Sequence, residues 1–157
     1  MIHQISAEHL TIEQVGEIIY NNYKIELSED AKQRIKRCRN YLDKKIARNG
    51  EPIYGVTTGF GSLCNVSIGK DHLSQLQINL IKSHACGVGE RVPNDIVKIM
   101  LLLKIQSLSY GYSGCKLDTV MRLVSFFTTT SIQLCISKVR LVPQVTLCLL
   151  LICVSLS

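Results

Sequence analysis

Ile53-Tyr54-Gly55-Val56-Thr57-Thr58-Gly59-Phe60-Gly61 is the stretch on which the reading of this chain turns. A tyrosine heads a run that carries three glycines and two threonines. Glycine lets backbone reach positive φ and approach a ligand closely. A phenol titrates far above neutrality in water and becomes a usable acid or base only where its surroundings favour the charged form. The residues alone leave two readings: a Gly-rich connector whose Tyr54 packs on the core, or a loop that presents Tyr54 for proton transfer.

A second stretch, Leu76-Gln77-Ile78-Asn79-Leu80-Ile81-Lys82-Ser83-His84-Ala85-Cys86-Gly87-Val88-Gly89-Glu90, follows about one helix length on. Its apolar residues have helical spacing and its glycines stop the run. On position alone, His84 reads first as a histidine satisfied by a carbonyl at a helix end, where its charge also suits the dipole. Together, in this order, the two stretches resemble the histidine and aromatic amino-acid ammonia-lyases. The resemblance covers residues 3 to 127, the N-terminal part of such an enzyme. It implies a mainly α protein, the N-terminal portion of the ammonia-lyase helical fold with a Gly-rich catalytic loop.

The periodicity fills in that frame. Thr11-Ile12-Glu13-Gln14 reads as a capping box for a short helix with Val15, Ile18 and Ile19 on one face. Ser28 caps a second helix, with Ile35, Cys38, Leu42 and Ile46 inward and Lys32, Arg34, Lys36, Arg37 and Arg39 on the solvated side. Asn49-Gly50 ends it. A helix from Asp71 to His84 carries a stripe of Leu73, Leu76, Leu80 and Ile81, with Gly87 and Gly89 as its stop. Pro93-Asn94-Asp95 opens a longer helix, apolar on nearly every side from Ile96 to Leu108 and therefore expected to be buried. Gly111 and Gly114 break it before a last helix from Lys116 to Phe127, carrying Leu117, Val120, Met121, Val124 and Phe127.

Charge and cysteine usage narrow the class. The 157 residues are enough for one domain with a core, and the net charge is +6. From Thr128 on only Lys138 and Arg140 are charged, so the first 127 residues carry +4. No basic block is interleaved with aromatics, so no nucleic-acid partner is expected. Cys38, Cys64, Cys86, Cys115, Cys135, Cys148 and Cys153 include no CxxC and no Cys/His spacing that suits zinc, so no metal is expected. An odd count and the lack of a basic start followed by an apolar run point to reduced thiols in a cytoplasmic protein. His3, His9 and His72 read as surface residues.

The character changes at Thr128, giving 1–127 as part of an ammonia-lyase domain and 128–157 as an apolar tail outside the resemblance. Val142 to Ser157 is sixteen residues, shorter than the about twenty a membrane span needs, so no membrane partner is expected. The tail shows neither helical period nor strand alternation. Restoring one base near the codons of Phe127 and Thr128, with free choice of wobble bases, turns it into NNDIYPVVYQQGSFGASGDLVPLAHLCLS. Middle bases are not free in this operation, and the string is similar to the family's continuation throughout. The tail is therefore expected to be a frameshifted product.

The resemblance implies the chemistry. The family removes ammonia from an L-amino acid to leave a trans-2-alkenoate, urocanate when the substrate is histidine. Tyr54 maps onto the base that removes the β-proton, and Gly55, Thr58, Gly59, Phe60 and Gly61 onto its loop. His84, with Ser83, maps onto the substrate-selecting position. A buried hydrogen-bonding group there rejects a substrate that lacks its partner. Thr57 stands where histidine ammonia-lyases more often carry Asn, so tyrosine or phenylalanine ammonia-lyase remains open. The family adds no external cofactor. It uses a methylidene-imidazolone formed by itself from Ala-Ser-Gly, a tripeptide absent from the printed chain. The family assembles as a homotetramer, which is not expected of this fragment, and the chain is expected to be inactive alone. From another class, a non-enzymatic helical module with a membrane-seeking tail also fits the composition.

Overall fold

The computed structural model describes residues 1–48, 52–54, 56–59, 61, 64, 66, 69, 72, 75, 76, 78, 79, 82, 88–129 and 136–138. Strand β1 (Ile2–Ile5) leads into helix α1 (Ile12–Tyr20) and strand β2 (Lys24–Leu27), and helix α2 (Glu29–Ala47) follows directly. Further on come strand β3 (Val88–Arg91), helix α3 (Asn94–Ser109), helix α4 (Leu117–Thr128) and strand β4 (Ile136–Lys138). The chain is mainly α, as its periodicity indicates.

The first helix begins as its sequence dictates. Thr11 Oγ1 accepts from Gln14 N–H at 3.3 Å, and Gln14 Oε1 accepts from Thr11 N–H at 2.9 Å, closing the capping box. Ile18 is buried, with Val15 and Ile19 packed against the core beside it. Ser28 Oγ caps α2 by accepting from Ala31 N–H at 3.2 Å. That helix stops at Ala47, with Arg48 as its C-cap, so Asn49 and Gly50 fall outside the described residues.

Two features depart from a purely helical reading. Strands β1 and β2 form a parallel pair in the register Ile2↔Lys24 to Ile5↔Leu27, with α1 as the crossover. The Lys24-Ile25-Glu26-Leu27 alternation, with Ile25 and Leu27 buried, is the strand signal, confined to four residues. Strand β3 pairs antiparallel with β4 through Val88↔Lys138 and Arg91↔Ile136, and Gly89 lies in the irregular stretch between those two pairs; Gly87 and the residues just before it lie outside the described residues. Ladder bonds are made by backbone, so the three-residue β4 forms on that edge without side-chain alternation.

Helix α3 is the central element. It packs on α1, α2, α4 and β1. Leu101, Leu102, Ile105 and Leu108 from α3 join Ile5, Ile25, Leu27, Ile35, Val120, Leu123 and Phe127 in one core. The expected burial on every side of α3 does not occur. Ile96, Met100 and Leu103 are 48%, 37% and 49% exposed, a stripe at i, i+4 and i+7 facing away from that core.

The turn between α3 and α4 rests directly on α2. Gly111 (φ +78°) and Gly114 (φ +67°) both adopt the left-handed region. A Cβ on Gly111 would lie 2.8 Å from Arg34 Cβ and 2.9 Å from the Arg34 carbonyl carbon and oxygen. Arg39 Nη1 donates to Gly114 O at 3.3 Å while its Nε donates to Asp43 Oδ2 at 3.0 Å. Arg34 and Arg39 are thus half-buried, and only part of the basic face of α2 is solvated.

Candidate active site

Ile53 O accepts from both Val56 N–H at 3.0 Å and Thr57 N–H at 2.9 Å, reversing the chain within one tight turn. Ile53 N–H in return donates to Thr57 Oγ1 at 2.8 Å. Residues 53 and 57 are therefore held to each other twice, and Tyr54 lies inside that bracket. The following Thr58 is buried, 2% exposed, and its hydroxyl donates to Gly59 O at 3.0 Å. Gly59 N–H donates to Val66 O at 3.2 Å, and Cys64 N–H to Gly61 O at 3.1 Å, which fixes the far side of the loop.

Gly61 has φ +57°, and a Cβ there would meet nothing within 4 Å. Glycine is needed at this point for conformation and not for room. Its N–H donates to the Tyr54 phenol oxygen at 3.4 Å. The side chain of Tyr54 thus spans the loop from one end to the other, while the residue stays 54% exposed and open to a ligand. An exposed phenol fixed by a backbone donor can accept and return a proton.

The structure brings together Tyr54, Thr58, Gly59 and Gly61 of the expected site. Gly55, Phe60, Ser83 and His84 lie outside the described residues. On the segment that carries His84, Gln75, Leu76, Ile78, Asn79 and Lys82 are helical. Gln75 Nε2 donates to Asn79 Oδ1 at 2.8 Å, and Asn79 and Lys82 are exposed. Among the described residues no group of three or more His, Cys, Asp or Glu is placed to hold a metal ion. Also among them, no helix is long and apolar enough to cross a membrane.

Two roles escaped the sequence. Thr57 entered only as a departure from an expected Asn, yet its hydroxyl closes the turn that carries Tyr54. A Thr four residues after an apolar position is too common a pattern to announce this bond. His3, read as a surface residue, is half-buried on β1, and desolvation pushes its pKa below the ordinary value against the opposing pull of Glu17.

Residues 10–135 match the sequence profile of the aromatic amino acid lyases, and the chain belongs to that family. It is 44% identical over 120 residues to the histidine ammonia-lyase of Streptococcus gordonii, an overlap that takes in 76% of this chain and 23% of that protein. Among solved structures it is similar to histidine ammonia-lyase from Trypanosoma cruzi, with TM-score 0.71 and 32% identity over 82% of this chain and 24% of that one. It is also similar to the ergothioneine-degrading ergothionase from Treponema denticola, with TM-score 0.76 and 27% identity over 82% and 26% of the two chains. The chain spans about a quarter of the length of the curated relatives it matches.

Proposed function

We propose that this chain derives from a histidine ammonia-lyase, which eliminates ammonia from L-histidine to give trans-urocanate. The observation that carries the reading is the 44% identity to an enzyme of that name, across a segment that contains the Tyr54 loop. In this reading Tyr54 is the base. Its phenol oxygen takes the β-proton, and the Gly61 N–H lies 3.4 Å from that oxygen. Backbone donors fixed before reaction cost no reorganisation during it. Ser83 and His84 select a substrate with a polar ring, which favours histidine, then tyrosine, over phenylalanine. The remaining loop residues, Gly55 and Phe60 included, hold the base and exclude water.

The family electrophile, a methylidene-imidazolone, makes the amino group a leaving group. The residues of this chain do not fit it, because no Ala-Ser-Gly is present to form it. The 157-residue polypeptide is therefore proposed to be inactive by itself, with 1–127 as lyase sequence and 128–157 as a frame-shifted tail. Tetramer formation and a cytoplasmic location belong to the intact enzyme in the same proposal.

Resequencing the gene across the codons for Phe126 to Ser131 tests the tail. One additional base found there restores the Ala-Ser-Gly frame, whereas an intact gene with no open frame beyond Phe127 rules the frameshift out. The restored product should release urocanate from histidine, followed by its ultraviolet absorbance, and the 157-residue chain should release none. In the restored enzyme Y54F should lower kcat by about 10²–10⁴-fold with substrate binding retained. Preferential turnover of tyrosine would overturn the substrate assignment and leave the reaction class standing.

A further inference from the structure

We infer that Thr57 is the positioning residue for Tyr54, acting through the backbone of Ile53 and not through any contact with substrate. The inference rests on the proposed role of Tyr54 as the base, and it deepens that role by naming what aims the phenol. Three bonds carry it. Thr57 Oγ1 accepts from Ile53 N–H at 2.8 Å. Thr57 N–H donates to Ile53 O at 2.9 Å. Gly61 N–H donates to Tyr54 OH at 3.4 Å.

The first two bonds make Ile53 and Thr57 reciprocal partners, each giving one donor and receiving through one acceptor. The two backbone bonds of the turn, from Val56 and Thr57, share the single acceptor Ile53 O. The Thr57 hydroxyl adds a third bond at Ile53 N–H, so Ile53 is held at both its carbonyl and its amide. Tyr54 is the residue after Ile53, so its Cα position is set by this double closure. Its phenol must then reach a donor seven residues away, on a glycine in a left-handed conformation. At 3.4 Å that bond is near the long limit for N–H···O contacts, so a small rotation of the turn breaks it. The hydroxyl of Thr57 therefore governs whether the Tyr54 oxygen meets its donor. Thr58, the other threonine of the loop, turns its hydroxyl to its neighbour's carbonyl.

The test uses the 157-residue chain and reads amide exchange with water by nuclear magnetic resonance, which needs no turnover. T57V keeps the shape of the side chain and removes its acceptor. It should speed exchange at both Ile53 and Gly61 by about tenfold, with amides in α2 and α4 unchanged. T57S and T57N each retain an oxygen acceptor and should restore both rates to within about twofold of the parent. Y54F should release Gly61 alone and leave Ile53 protected. Faster exchange at Ile53 in T57V with Gly61 unaltered would overturn the coupling, as would failure of both T57S and T57N to restore protection. Loss of the lyase reading would show instead as full activity of Y54F in the restored enzyme, an outcome that leaves these exchange rates untouched.

Discussion

Single residues decide how closely the helices approach. Gly111 and Gly16 make the contrast. Gly111 has φ +78° and no room for a Cβ, since the nearest atoms include the Arg34 backbone at 2.9 Å. Gly16 lies inside α1 with nothing within 4 Å of its absent Cβ. G111A should therefore destabilise the chain by about 2–5 kcal/mol, from left-handed strain and from overpacking against a backbone that cannot yield. G16A should stabilise it by about 0.5–1 kcal/mol, through helix propensity and a less flexible unfolded chain. Urea denaturation of both variants checks the pair, and equal shifts in midpoint would contradict it. Sequence marks both positions as glycine and cannot separate them, because the difference lies in what stands opposite.

At the level of elements, legibility followed the length of the repeating signal. The capping box at Thr11 and the cap at Ser28 were plain, because each places an oxygen beside a known unpaired N–H. In the α4 stripe Val120, Val124 and Phe127 are buried as their spacing requires and Leu117 is partly buried, whereas Met121 is 42% exposed. Strands β1 and β2 were missed. Four residues give a period of two little room to show, and β1 has only Ile5 buried. In the candidate site, Tyr54 and the glycines were legible from their types. The Thr57–Ile53 closure was not, since it depends on a turn geometry that no residue type encodes. The same hidden strand sets a pH dependence. His3 on β1 has its folded-state pKa held below the unfolded value near 6.5, chiefly by desolvation. The unfolded chain then binds more protons in this window, so stability is full above about pH 6.5 and falls as pH drops through the folded value. The urea midpoint should be lower at pH 5 than at pH 7.5, and H3Q should flatten that slope. An unchanged slope in H3Q would assign the acid sensitivity to other groups.

At the scale of the whole molecule, the stripe of α3 is an exposed apolar band among the described residues. Ile96, Met100 and Leu103 lie on the far side of the same helix that supplies Leu102 and Ile105 to the core. An apolar band of this kind drives association in water. Light scattering of the purified chain should show concentration-dependent association, and M100Q combined with L103E should reduce it without lowering the melting temperature. A monomer at every concentration would show the stripe to be inert. Helix α3 also holds the start of the chain. Gln106 Nε2 donates to Ser6 O at 3.1 Å and to Glu8 O at 2.8 Å, and Ser109 Oγ donates to Ser6 O at 3.1 Å. The first of these joins residues one hundred positions apart. A ribosome adds about 5–20 residues each second, so the nascent amino terminus waits on the order of 5–20 s for the carbonyls of Ser6 and Glu8 to meet their donors. During that interval β1 can pair with β2, but the loop beyond it stays open to proteases and chaperones until α3 emerges.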